Sequence, residues 1–291
     1  MPVLSDAEGP VLSDAGGLRL GWFSTGRGPT SRRLLAAARD EIASGRLGAR
    51  IAVVFCNRRP GEDQNTDAFL EQVRGDDLPL VTISSRDFRK RHGGAIARKA
   101  QPLPDWRLDY DREVMRLLEP YPFDLGVLAG YMLIFCEEAV ARYDLLNLHP
   151  AAPGGPAGTW QDVIWQLIEQ RADRSGVMLH LATPDLDEGP PVTYCTYPIR
   201  GAAFDRLWAH AEGRTVDEIK AADGESNALF QEVRRHGVAR EIPLVIETLR
   251  AFAEGSIRIE NKRLVDASGK PISGYDLTDQ IERRIASTLA G

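Results

Sequence analysis

The feature that narrows the fold most is an alternation of short apolar runs with helical stretches, opened by a glycine-rich turn. Residues 18–23 read as a buried strand, 24–31 (STGRGPTS) as a turn, 32–44 as an amphipathic helix and 51–56 as a second strand. Strands joined through a helix lie parallel, and the crossover is right-handed. The alternation continues with strands at 80–83, 125–129 and 145–148 and helices at 109–118 and 137–142. After a helix at 159–171, two runs at 177–182 and 192–198 are joined by a turn-rich segment and read as antiparallel strands. The expected fold class is therefore α/β: a Rossmann-like, doubly wound, mostly parallel sheet with an antiparallel C-terminal part. Residues 202–254 read as helical, with a helical expansion at about 201–235. Residues 256–265 and 271–275 read as a terminal hairpin turning through 267–270.

Two copies of PVLSDA, at residues 2–7 and 10–15, are too few to build a repeat architecture, so 1–17 is expected to be a disordered tail. Residues 18–291 are expected to form a single domain. The 291 residues carry a net charge of -6, which gives no general positive field for nucleic acid or an anionic membrane. An anionic substrate must then be held by local groups. The three cysteines, Cys56, Cys136 and Cys195, are far apart and in apolar surroundings, as expected for buried thiols in a reducing compartment. The sequence offers no membrane span and no secretory leader pattern, so the expected location is cytoplasmic. No metal is expected. His92, His210 and His236 have no partner in sequence and read as exposed, and the basic run at 86–91 as surface.

Chemistry concentrates in two segments. In LLNLHPAAPGGPAGT (145–159), Asn147 and His149 stand two apart on a strand, so both side chains leave one face. The strand runs into a Pro/Gly-rich loop, and open α/β sheets place ligands beyond the carboxyl ends of their strands. In HLATPDLDEGP (180–190), a strand ends in an acidic loop that brings Asp187 within reach of the imidazole. Alone, an Asn-x-His pair is usually a satisfied core pair; the combination is what points to a reaction centre.

The blocks LAGYM (128–132), NLHP (147–150) and DLDEGP (185–190), in this order, resemble the signature of the phosphoribosylglycinamide formyltransferase family. The likeness runs from Leu18 to about Tyr275. It implies an enzyme that moves a formyl group from 10-formyltetrahydrofolate, a co-substrate, to the amine of glycinamide ribonucleotide in purine biosynthesis. It also implies Asn147, His149 and Asp187 as the catalytic group, with His180 supporting. Thr25, Gly26, Arg27 and Gly28, with Arg107, would bind the acceptor and its phosphate. Tyr131, Met132, Leu133, Ile134, Phe135, Thr183 and Asp185 would line the folate cleft. Three departures bear on the acceptor: Pro29 removes a loop amide, Leu133 stands where many members have arginine, and a ribose-binding glutamate is replaced near Val238. Other readings stay open: a formyltransferase for another phosphorylated or nucleotide-linked amine, and a non-catalytic folate- or nucleotide-binding regulator. A hydrolase of formyl-folate is less expected, since such families carry an added N-terminal domain. The expected partners are small molecules only, with a homodimer left open.

Overall fold

A computed structural model describes residues 17–94, 103–185 and 188–290; the repeat in the first sixteen residues lies outside them. The first half follows the alternation: β1 (Leu18–Ser24), α1 (Pro29–Ala43), β2 (Ala49–Cys56), α2 (Gln64–Gly75), β3 (Leu80–Thr82), α3 (Ser85–Arg91), α4 (Asp105–Leu118), β4 (Leu125–Leu128), α5 (Glu137–Arg142) and β5 (Leu145–His149). There follow α6 (Trp160–Glu169), β6 (Arg174–Leu181), β7 (Pro191–Pro198), α7 (Asp205–Ala211), α8 (Val216–Ala222), α9 (Ala228–Ala253), β8 (Ile257–Glu260), β9 (Arg263–Asp266), β10 (Tyr275–Asp276) and α10 (Thr278–Ala290).

Eight strands form one sheet in the order β10-β7-β6-β5-β4-β1-β2-β3. Within it β6 alone runs against the others, pairing antiparallel with β5 and β7. The mostly parallel sheet with an antiparallel C-terminal part is thus as the sequence leads one to expect. Alternate residues of each strand feed opposite faces. Leu20, Trp22, Val54, Val127 and Leu146 pack with α1, α2, α6 and α9. Phe23, Val53, Phe55, Leu128 and Leu145 pack with α3, α4 and α5. The residues that expand 201–235 (Phe204, Trp208, Ile219, Phe230 and Val233) belong to the first of these cores.

Three local signals place elements that the periodicity does not. α1 starts at Pro29, three residues earlier than expected, because proline's fixed φ and missing N–H suit the first helical position. α2 was not anticipated; Asp63 caps it, accepting from the amides of Asn65 and Thr66. The basic run at 86–91 is itself helical, as α3. The terminal hairpin also differs from expectation. The expected turn at 267–270 is made, with the Gly269 amide donating to the Asp266 carbonyl at 2.9 Å and Val265 bridging Pro271 antiparallel, but a second turn at Asn261 and Lys262, in the left-handed region at φ 49° and 62°, folds the stretch read as one strand into β8 and β9. Tyr275 leaves the hairpin altogether and adds β10 beside β7, parallel to it. His92 and His210 are exposed as expected, His92 stacking on Phe88 with ring centroids 4.1 Å apart, whereas His236 is half-buried and packs against Phe204 at 4.8 Å. Among the described residues, no helix is long and apolar enough to cross a membrane.

Candidate active site

The order of the sheet reverses between β1 and β4: the chain leaves β1 toward β2 and β3, then crosses back to β4 on the other side. A crevice opens at such a switch point, at the carboxyl ends of the two strands. Here the loops beyond β1 and β4 are fastened to each other. The Thr25 amide donates to the Gly130 carbonyl at 3.0 Å, and the Met132 amide donates to Thr25 Oγ1 at 3.0 Å. Gly130 is required for this closeness: its φ is +74°, and a Cβ there would lie 2.7 Å from Ser31 Oγ.

Of the loop residues expected to bind an anion, Thr25 and Gly26 already use their amides inside the protein, on Gly130 O and on Ser24 Oγ at 3.1 Å. Arg27 is exposed, and Gly28 is the N-cap of α1 with no side-chain cap and no acidic residue in the first turn. The anion-attracting part of the loop is therefore the helix terminus itself, from Arg27 onward.

Beside this crevice, Leu128 of β4 pairs with Asn147 of β5, and across β5 the antiparallel register sets Asn147 opposite His180. Asn147 Nδ2 donates to His180 Nε2 at 3.0 Å, while His180 Nδ1 lies 3.2 Å from the Leu181 carbonyl. A carbonyl only accepts, so His180 carries its proton on Nδ1 and receives the amide on Nε2. By the same logic His149 carries a proton on Nε2, 3.0 Å from the Pro156 carbonyl. The two imidazoles meet edge to face with centroids 6.0 Å apart. Both are buried, and Asn147 is half-buried. The register thus brings together an amide and two imidazoles with defined tautomers. Asp187 lies outside the described residues. Thr183 and Asp185 are described: Thr183 Oγ1 donates to the Asp185 carbonyl at 2.9 Å.

The segment 131–136, expected to line the folate cleft, follows the end of β4 that Thr25 fastens. Tyr131 stacks on Phe135 with centroids 4.9 Å apart, and both belong with Leu133 and Ala182 to the second core. The residue before Thr183 and the expected folate wall therefore share one apolar patch. Burial drives the Tyr131 phenol well above its ordinary range, so it stays neutral. Met132 is 60% exposed, a large apolar side chain beside the crevice. Arg107, expected near the phosphate, is buried, and among the described residues its hydrogen bonds go to Asp111 and to the Ile134 carbonyl, at 3.1 and 2.6 Å. Asp111 was missed in the sequence. The only signal for it is its i,i+4 spacing from Arg107 on a helix.

Residues 22–202 match the formyl transferase family profile, more than half of the chain. Phosphoribosylglycinamide formyltransferase from Escherichia coli K12 is 26% identical over 245 residues, covering 83% of this chain and 92% of the relative. The enzyme of that name from Haemophilus influenzae is 26% identical over 242 residues, covering 81% and 90%. The crystal structure of glycinamide ribonucleotide transformylase 1 from Symbiobacterium toebii has the same fold, with a TM-score of 0.59 at 22% identity over 90% of this chain and 99% of that one. With a matched profile spanning β1 to β7 and the Asn147–His149–His180 cluster inside it, the chain belongs to the formyl transferase family.

Proposed function

We propose that this protein transfers the formyl group of 10-formyltetrahydrofolate to the amine of glycinamide ribonucleotide. The observation that carries the reading is the Asn147–His180 bond beside His149, next to the switch-point crevice of a formyl transferase. The two curated relatives described above bear the name of that reaction.

The amine nitrogen attacks the formyl carbon, and the carbonyl electron pair moves onto oxygen to give a tetrahedral oxyanion. Asn147 Nδ2, which holds His180 with one of its hydrogens, is the amide donor proposed for that oxygen. His149 is the second donor. As the intermediate collapses, the bond from the formyl carbon to the folate nitrogen breaks. The attacking nitrogen gives up a proton and the departing nitrogen takes one, with Asp187 as the carboxylate that steadies the imidazole for this exchange. His180 acts behind Asn147, fixing which way its amide points. The folate occupies the cleft between 131–136 and 182–187, and the acceptor's phosphate sits at the N-terminus of α1.

A second reading, transfer to another phosphorylated amine, is favoured by the internal use of the Thr25 and Gly26 amides together with Pro29, which leave fewer loop donors. One assay separates the readings: incubation with 10-formyltetrahydrofolate and a panel of amines, following release of tetrahydrofolate by absorbance. Turnover with glycinamide ribonucleotide well above the other amines is expected. Turnover only with a different phosphorylated amine selects the second reading, formate release without any amine indicates a hydrolase, and no turnover at all indicates a regulator.

A further inference from the structure

Residues 129–136 contain neither helix nor strand, so no ladder fixes their backbone. Their front end is held by Thr25. Their rear end is held by two buried charges. Arg107 Nη2 donates to the Ile134 carbonyl at 2.6 Å and to Asp111 Oδ1 at 3.1 Å, and Asp111 Oδ2 accepts the Cys136 amide at 2.7 Å. One guanidinium nitrogen and one carboxylate thus satisfy a carbonyl and an amide two residues apart.

This arrangement is costly. Arg107 and Asp111 are 1% and 0% exposed, and Arg107 Nη1 has no hydrogen-bond partner among the described residues. Burial raises the Asp111 carboxyl against the opposing pull of Arg107 and the Cys136 amide. A pair needed only for stability would be equally well served by apolar side chains of similar volume. What apolar side chains could not do is grip the backbone of 134–136.

We infer that Asp111, bridged by Arg107, is a positioning residue that sets the conformation of the 131–136 segment and thereby the affinity for the folate. The inference rests on the reading of that segment as the folate wall. Without the rear clamp the segment samples other conformations, and binding weakens in proportion to the fraction of time it spends in the competent one.

The test uses Asp111→Asn and, as a variant that removes both charges while filling their space, Arg107→Met with Asp111→Leu. The dissociation constant of 10-formylfolate, the acceptor KM, kcat at saturation and hydrogen exchange of the ligand-free protein are measured for each. If the competent fraction falls to about one tenth, the double variant binds 10-formylfolate about tenfold more weakly. Its acceptor KM and saturated kcat should change far less, and exchange should quicken at 131–136 but not across the sheet. Asp111→Asn, which keeps an acceptor for Cys136, should shift the same quantities in the same direction, and serves if the double variant fails to fold. Unchanged exchange at 131–136 overturns the clamp itself. Quickened exchange with unchanged 10-formylfolate affinity leaves the clamp standing and overturns the folate reading beneath it. Equal weakening toward both substrates, with exchange quickened throughout, overturns the positioning role in favour of a merely structural one.

Discussion

At the scale of single residues, the chemistry rests on what Asn147 and His149 can donate. Losing one preorganised donor to an oxyanion typically lowers kcat by about 10²–10³, roughly 3–4 kcal/mol. Asn147→Ala and His149→Ala should each fall in that range with folate affinity little changed, measured by steady-state kinetics on protein that retains its far-UV dichroism. Near-normal turnover in either would remove that residue from the mechanism. His180→Ala should cost less, because it removes one partner of the Asn147 amide without deleting the amide. The Asn-x-His spacing could be read directly, since two residues apart on a strand means one face. That His180 is the partner of Asn147 could not, because it depends on the antiparallel register of two strands separated by a whole helix. Arg107 shows the limit most clearly: its sequence neighbours give no hint that its guanidinium ends on Ile134, 27 positions away.

Among elements, strands were the easier to find, because 51–56 and 125–128 are nearly continuous apolar runs buried on both faces. α2 was missed because it buries only Phe69, Leu70 and Val73 among its apolar side chains, too few for a clear helical period. The turn at 267–270 is legible from Gly269, whereas the one at Asn261 and Lys262 is not, because non-glycine residues at positive φ are hard to foresee. The connection between β6 and β7 carries its own requirement. A Cβ on Gly189 would lie 1.6 Å from the Leu181 carbonyl and 3.0 Å from His180 Nδ1. Gly189→Ala should therefore push this connection away from β6 and disturb the His180–Leu181 contact. A drop in kcat is expected, because the His180–Leu181 contact that orients the imidazole is disturbed, with the unfolding midpoint moving by a few degrees, about 1–2 kcal/mol. Unaltered kinetics would mean that the connection relaxes without touching the site.

For the molecule as a whole, Glu41 ties three helices together. It receives Arg46 at 3.0 Å within the α1 region, Arg250 of α9 at 3.2 Å and Arg284 of α10. Burial alone would raise its carboxyl, but the bonds from Arg46 and Arg284 outweigh it and hold the group below its ordinary 4.5. A lowered folded-state value means that the charged form stabilises the fold above pH about 4.5 and that this contribution disappears as pH falls through the folded value. Glu41→Gln should accordingly cost about 1–2 kcal/mol at pH 7, a discounted figure because the arginines are partly exposed. Denaturation at pH 3 should show wild type and variant nearly equal; a gap that persists in acid would assign the loss to packing. The strand order was beyond the sequence, since placing β4 beside β1 rather than β3 is decided by which helices cover which face. The same holds for β10. Tyr275 and Asp276 pair with β7, the Leu277 amide donates to the Tyr194 carbonyl at 2.8 Å, and Thr278 Oγ1 accepts from the Thr196 amide at 3.1 Å. Without these four residues, β7 would be an open rim eight residues long, with unpaired amides and carbonyls ready to recruit the same strand of another molecule. The short terminal strand is thus a guard against self-association, and Tyr275→Pro with Asp276→Pro, which strips β10 of its amides while keeping α10 in the chain, should make the protein form sheet-rich aggregates on standing.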